Sequence, residues 1–305
     1  MSLFNAYVAL SGAIDGEVLR EERMSRHTSW RIGGPAALYV RANTTTALTR
    51  TIDVLSREGV EWVILGKGSN VLVSDQGYNG CVITLGRDFS RISSDAGDGI
   101  VTAGAGVVLA RLVGEVLKRS LAGLECCVGI PGCVGGAVSM NAGTAHEWIG
   151  SVVSDVVTLR PGHGLVRYDA SEIAWEYRKT SIPANEIILE ATLALTPSDR
   201  ESISREMNRR LQARHRTQPT GKPSCGSVFR NPPGQSVGKL LESCGLKGYF
   251  VGGAQISDIH ANFIVNNGGA TAQDALAVMR QMFQRVKEDY GIELQPEVKF
   301  LGSFT

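Results

Sequence analysis

Apolar and polar positions along the chain follow two periods, and each marks a different kind of element. From Thr44 to Glu58 the residues Leu48, Ile52 and Leu55 recur at helical spacing, with Gly59 as the stop. Ala37 to Val40 before this helix and Trp62 to Leu65 after it read as strands. Val71 to Val73 and Cys81 to Leu85 read as further strands, separated by the turn-rich run Asp75-Gln76-Gly77-Tyr78-Asn79-Gly80. A loop from Ser93 to Gly99 leads to a short strand at Ile100 to Ala103. The stripe Leu109, Leu112, Val113, Val116 and Leu117 then predicts a second helix. Leu121 to Val128 leads into a glycine-rich stretch. Val152 to Leu159, Leu165 to Tyr168 and Ile187 to Leu195 are strands of the same unit. Strand runs interleaved with two helices predict an α+β unit ending near Pro197.

Beyond that point, Ser198-Asp199-Arg200-Glu201 has capping-box spacing, and Ile203, Met207 and Leu211 continue a helical face to about His215. Arg209, Arg210, Arg214 and Arg216 crowd its last turns, where cations complement the helix dipole with or without a ligand. Val237 to Ser243 predicts a short helix, and Gly252 to Ile256 and Asn262 to Asn266 predict strands. Thr271 to Asp274 caps a helix whose apolar face is Leu276, Met279, Met282, Phe283, Val286 and Tyr290, and Gln295 to Gly302 is a closing strand. Residues 1 to about 25, with an apolar opening, Ser11-Gly12 and then Glu21-Glu22-Arg23, read as a leading helix and connector.

A chain of 305 residues suffices for two or three packed units of roughly 100 to 200 residues each. Its 31 basic and 30 acidic residues leave a formal charge of +1, so no global field points to nucleic acid or an anionic membrane. No apolar run reaches about 18 residues and no basic-then-apolar leader is present, which predicts a cytoplasmic protein without membrane insertion. The six cysteines form no C-x-x-C pair and no histidine cluster has metal-ligand spacing, so reduced thiols and no metal site are expected. Cys126 and Cys127 read as small buried hydrophobes.

Two glycine-rich segments stand out chemically. Gly129-Ile130-Pro131-Gly132-Cys133-Val134-Gly135-Gly136 runs on to Asn141-Ala142-Gly143, and Gly66-Lys67-Gly68-Ser69-Asn70 lies between two strands. Glycines permit positive φ and close ligand approach, and successive exposed N–H groups attract phosphate oxygens; a buried structural turn is the alternative for either segment alone. Two such turns suit one dinucleotide. Neither is a P-loop, and Val71 stands where a dinucleotide fingerprint requires its third glycine.

The run G-K-G-S-N-x-L-V followed by G-I-P-G-x-V-G-G-x-x-x-M-N-A-G resembles the flavin-binding half of the bacterial UDP-N-acetylenolpyruvoylglucosamine reductase family. Thr28 to Ala36, reading T-S-x-R-I-G-G-P-A, resembles the entry to that flavin domain. Tyr177-Arg178-Lys179-Thr180, Gly226-Ser227-Val228-Phe229-Arg230-Asn231-Pro232 and Pro296-Glu297-Val298 match three further family elements, so the likeness runs from about His27 to Gly302. Taken singly, Arg178 reads as a surface charge and Ser227 as a turn residue.

The resemblance implies an α+β fold: a vanillyl-alcohol-oxidase-type FAD-binding domain over 27–197 in two subdomains, after an extension at 1–26, and a C-terminal substrate-binding domain over 198–305. It implies NADPH-dependent, FAD-mediated reduction of UDP-N-acetylglucosamine enolpyruvate to UDP-N-acetylmuramate in peptidoglycan precursor synthesis, by a protein expected to be monomeric. Arg178 is implied to bind the substrate carboxylate, Ser227 to donate a proton and Glu297 to orient the enol-like intermediate. Noncovalent FAD is implied at Gly66, Lys67, Gly68, Ser69, Asn70, Gly129, Ile130, Pro131, Gly132, Gly135, Gly136, Asn141 and Gly143, largely through main-chain N–H groups. Substrate contacts are expected from Tyr177, Arg214, Lys222, Asn231 and Asn262. Only 70 positions separate Ser227 from Glu297, which resembles the compact subtype without the longer substrate-domain insertions. Another FAD-dependent sugar or alcohol oxidoreductase of the same fold and a non-enzymatic FAD-binding protein are the alternatives.

Overall fold

A computed structural model describes residues 2–94, 99–144 and 146–304. The expected loop Ser93 to Gly99 lies largely outside the described residues, and its first two positions end a short strand, Ile92–Ser94. The helices, in chain order, are α1 (Leu3–Leu10), α2 (Thr45–Glu58), α3 (Leu109–Lys118), α4 (Val134–Ser139), α5 (Arg200–Thr217), α6 (Val237–Ser243) and α7 (Ala272–Tyr290). The chain forms two compact units, each assembled from three separate segments: residues 1–20, 38–67 and 80–212 in the first, and 21–37, 68–79 and 213–305 in the second.

The first unit contains an antiparallel five-stranded sheet, ordered Gly164–Asp169, Val153–Arg160, Ile187–Ala194, Ile100–Gly104, Ile92–Ser94. The amphipathic stripe of α3 buries Leu109, Leu112, Val113 and Val116 in one core with Val101, Val134, Val138 and Ala191. A second core joins α1 and α2 to strand residues, with Ala6, Leu10, Leu48, Ile52 and Leu55 against Leu38, Val40, Cys81 and Ile83. Helix α2 starts where the Thr44 hydroxyl accepts the Ala47 N–H. It stops at Gly59, whose φ of +65° places it in the left-handed region that glycine enters without steric cost. Trp62–Ile64 pairs in parallel with Cys81–Ile83, so the segment starting at Leu65 leaves the carboxyl end of a strand.

The second unit carries a four-stranded antiparallel sheet, ordered Ser224–Ser227, Phe263–Asn266, Ala254–Ile256, Phe250–Val251. Its core draws Trp30, Ile32 and Leu72 together with Cys225, Val228, Phe229, Leu241, Ile264, Val278, Met282 and Val298. A parallel pairing of Val71–Val73 with Lys299–Leu301 ties chain positions more than two hundred residues apart.

Several local expectations change. The charged run Gly16–Arg23 is a strand, because cross-strand pairing tolerates polar side chains wherever both faces are not buried. Part of the glycine-rich stretch is itself a short helix, α4, although glycine lowers helix propensity; the burial of Val134, Ala137 and Val138 outweighs that local cost. Helix α5 begins with the Asp199 carboxylate accepting the Ser202 N–H at 2.8 Å, so Asp199 caps it in place of Ser198. The buried side of α7 runs through Ala275, Val278, Met279, Met282 and Val286, and Tyr290 is exposed at its last position. The closing strand is confined to Lys299–Leu301, which leaves Glu297 in extended chain before it. Among the described residues no helix is long and apolar enough to cross a membrane.

Candidate active site

In the first unit the two glycine-rich segments meet at Cys133. A Cβ added to Gly66 would touch the Cys133 side chain at 3.5 Å, and the Lys67 main chain hydrogen-bonds the Cys133 thiol. Burial raises the thiol's pKa despite the neighbouring Lys67 charge, which keeps it protonated at neutral pH. Gly66, Gly129 and Gly136, which carry no side chain, are exposed, as are Lys67 and Pro131 beside them, and Gly129 and Gly132 have φ of +72° and +124°. Exposed, side-chain-free backbone on two converging turns is the surface a dinucleotide requires. Not every amide there is available. The Val134 and Gly135 N–H groups donate to the Val107 and Ala105 carbonyls, both at 2.9 Å, and a Cβ on Gly135 would stand 2.8 Å from that of Ala105. Packing therefore accounts for glycine at 135. The Ile130 N–H likewise donates to the Cys127 carbonyl at 3.1 Å.

Arg178 sits at the tip of a two-stranded hairpin, Trp175–Glu176 with Lys179–Thr180. Its φ of +59° is a left-handed conformation that a non-glycine residue adopts only where surrounding structure enforces it. The enforcing contacts come from the end of the glycine-rich stretch. Asn141, itself at φ +42°, donates from Nδ2 to the Glu176 carbonyl at 3.1 Å, and Arg178 Nη1 reaches the Gly143 carbonyl at 3.5 Å. The guanidinium also lies 5.1 Å from the ring centre of the half-exposed Tyr177. The glycine-rich stretch and the Tyr-Arg element are thus adjoining parts of one structure.

In the second unit, Ser227 ends the strand Ser224–Ser227 just after a bulge. Ser224 faces Val265 and Ser227 faces Phe263, so one strand holds an extra residue, and Gly226 at φ +81° absorbs it. Bulges of this kind re-aim the following side chain, which gives the glycine before Ser227 a physical reason. The Glu297 N–H donates to the Val228 carbonyl at 2.8 Å, and Phe229 bridges to Pro296. Ser227 and Glu297 therefore lie on neighbouring extended segments, and Glu297 is 9% exposed. Cys225 beneath them is buried, which pushes its thiol pKa up, and the Glu297 charge adds to this.

The side chains expected at substrate have local partners. Asn262, buried, accepts the Phe229 N–H at 3.1 Å and donates to the Phe229 carbonyl at 2.8 Å, clamping the Ser227 segment. Asn231 accepts the Val237 N–H at the start of α6, and Lys222 donates to Asn267 Oδ1 at 2.8 Å. Arg214 is half-buried on α5. Arg209 and Arg210 pair with Glu206, and Arg210 also pairs with Glu147. Arg31, at φ +56°, lines a cleft of about 630 Å³ in the second unit with Arg23, Ser25, Asp75 and Thr271. One contributor escaped the sequence reading. Ser29 donates its N–H to the Gly68 carbonyl at 3.1 Å and its hydroxyl to the Ser224 carbonyl at 2.7 Å, and only its place in the T-S-x-R-I-G-G segment hinted at a role.

A family model described as FAD binding domain matches residues 36–160, and one described as UDP-N-acetylenolpyruvoylglucosamine reductase, C-terminal domain, matches residues 218–301. The UDP-N-acetylenolpyruvoylglucosamine reductase of Syntrophotalea carbinolica is 41% identical over 292 residues, covering 94% of this chain and 97% of the relative. The chain belongs to the UDP-N-acetylenolpyruvoylglucosamine reductase family. The crystal structure of the reductase from Thermus caldophilus superposes with a TM-score of 0.81 at 36% identity, over 94% of this chain and 99% of that one. A Phl p 4 variant described as a glucose dehydrogenase shares the fold alone, with a TM-score of 0.50 at 14% identity over 63% of this chain and 44% of that one. The fold is accordingly α+β, a vanillyl-alcohol-oxidase-type FAD-binding domain with the reductase family's own C-terminal domain, and the chain is an FAD-dependent oxidoreductase.

Proposed function

We propose that this reductase-family chain converts UDP-N-acetylglucosamine enolpyruvate to UDP-N-acetylmuramate, with NADPH as hydride donor and noncovalent FAD as carrier. Residues 27–197 are assigned to the flavin and 198–305 to the substrate. The observation that carries the reading is the pairing of Ser227 and Glu297 on hydrogen-bonded neighbouring segments, with the Glu297 N–H on the Val228 carbonyl. This pairing supports a donor and a carboxyl acting on one small substrate.

The exposed backbone of Gly66 and Gly129, with Lys67 and Gly132 beside them, would hold the FAD diphosphate, and FAD when bound supplies hydride transfer from the nicotinamide to the substrate. The chain's own residues do the rest. Arg178 binds the substrate carboxylate and stabilises the charge that develops there, a task suited to a permanently charged, bidentate guanidinium. Glu297 orients the enol-like intermediate. Ser227 delivers a proton to the carbon next to the one that receives the hydride, so the alkene gains one hydride and one proton and the nucleotide is otherwise unchanged.

The test is an anaerobic flavin spectrum taken with NADPH and then with the enolpyruvyl nucleotide. Bleaching followed by recovery is expected. No bleaching would favour a non-enzymatic flavoprotein, and recovery only on admitting oxygen would favour an oxidase of the same fold.

A further inference from the structure

We propose that Asn70 is a positioning residue for Glu297, so that the turn ending the first glycine-rich segment also sets the placement of this carboxyl. The proposal rests on the role given to Glu297 above and concerns only residues of the second unit.

Asn70 grips the chain on both sides of Val298. Its Nδ2 donates to the Glu297 carbonyl at 3.1 Å, and its own carbonyl accepts the Lys299 N–H at 3.0 Å. The parallel ladder of Val71–Val73 with Lys299–Leu301 starts at the next residue, so the grip lies at the end of a rigid pairing. From the other side the Glu297 N–H is held by the Val228 carbonyl at 2.8 Å. Both main-chain polar groups of Glu297 are thereby committed to different neighbours, and removing the carboxamide would free one side.

The turn that bears Asn70 is anchored in turn. A Cβ on Gly68, whose φ is +57°, would stand 2.4 Å from the His27 carbonyl oxygen, so the turn is packed directly on that segment. Ser29 ties the Gly68 carbonyl to the Ser224 carbonyl at the head of the Ser227 strand. Ser29, Gly68 and Asn70 thus connect the Ser227 strand to the Glu297 segment by a route separate from the direct contact of Val228 with Glu297. The chemistry required at position 70 is a side-chain donor of asparagine length. The flavin expectation for this residue concerns its main-chain N–H, which the carboxamide contact leaves untouched.

Two variants and two kinds of measurement test the assignment. In Asn70→Ala, amide hydrogen exchange at Glu297 and Lys299 should accelerate while exchange at Val101 in the first unit stays as it was; this readout requires no activity. Flavin should be retained, and reoxidation of the reduced flavin by the enolpyruvyl nucleotide should slow by up to about 10²-fold, the scale of a misplacement near 1 Å. In Asn70→Asp, the introduced carboxyl can donate to the Glu297 carbonyl only when protonated, so reoxidation should be slow at neutral pH and recover as pH falls through its pKa. A purely structural role would not produce that recovery, and the variant keeps the test open if Asn70→Ala does not fold. Wild-type exchange and reoxidation in both variants, beside slow reoxidation in Glu297→Gln, would overturn the Asn70 assignment alone. Wild-type reoxidation in Glu297→Gln would overturn the role given to Glu297 and the assignment with it. Loss of flavin with unaltered exchange would return the carboxamide to the cofactor site and reject the proposal.

Discussion

Asn141 holds Glu176 by its carbonyl at 3.1 Å, and this hydrogen bond, with the reach of Arg178 to the Gly143 carbonyl, ties the glycine-rich stretch to the hairpin that carries Arg178. The same carboxamide accepts the Gly150 N–H at 3.1 Å, so both of its polar ends are used in a buried setting. Replacing it with alanine would leave the buried Gly150 N–H unmatched. At about 1–3 kcal/mol for such a group, Asn141→Ala should lower unfolding stability by about 1–3 kcal/mol. Denaturant unfolding of the flavin-free protein measures this, and a loss below 1 kcal/mol would mean that water replaces the carboxamide at little cost.

Gly68 and Gly132 differ from Gly114 in backbone conformation. Both have positive φ, and Gly68 abuts backbone, whereas a Cβ on Gly114 in the interior of α3 would meet nothing within 4 Å beyond its own chain neighbours and helix backbone. Gly68→Val and Gly132→Val should give colourless protein, read as flavin absorbance per polypeptide. Gly114→Ala should keep its flavin and gain about 0.5–1 kcal/mol, since alanine is the better helix former. Stoichiometric flavin in both valine variants would remove these turns from the cofactor site.

Ser227→Ala should leave reduction of the flavin by NADPH close to the parent rate, because that half-reaction needs no proton on the substrate. Reoxidation by the enolpyruvyl nucleotide should fall by about 10²- to 10⁴-fold, the usual worth of general acid catalysis. Ser227→Cys should recover part of it. Stopped-flow absorbance separates the halves: equal slowing of both would indicate damaged flavin binding, and unaltered reoxidation would exclude Ser227 as the donor.

Glu186 gives the first unit a pH-dependent element. Burial opposes its ionisation, but hydrogen bonds from Thr158, Arg160 and Tyr168 outweigh burial and hold its pKa below the ordinary 4.5. A carboxyl with a depressed folded-state pKa contributes stability that is present above the unfolded value and lost as pH falls through the folded value. Glu186→Gln should therefore cost about 1.5–3 kcal/mol at pH 7, the range for hydrogen bonds to a charged group, and progressively less below pH 4.5. Thermal unfolding of both proteins from pH 7 to pH 3 checks it; a constant difference across the range would assign the effect to packing.

Much of the local architecture was legible without coordinates, and so was the family. Helix α2 announces itself through Leu48, Ile52 and Leu55 ahead of Gly59, and α7 through Thr271 and Asp274, because caps and periodicity are short-range physics confined to one turn or one face. The segments around Gly66, Gly132, Arg178, Ser227 and Glu297 were identifiable as motifs for the same reason: each is a few contiguous residues. What the linear order could not supply was partnership across distance. Asn70 reads as the end of a flavin turn, yet its carboxamide holds Glu297, 227 positions away, and Ser29 joins Gly68 to Ser224. The strand at Gly16–Arg23 was hidden because its pattern is set by the neighbours it pairs with, and α4 because the burial of Val134, Ala137 and Val138 overrides the glycines around them. Local chemistry is written along the chain, whereas hydrogen bonds between segments far apart in sequence depend on how the chain closes on itself, and only the tertiary structure decides that.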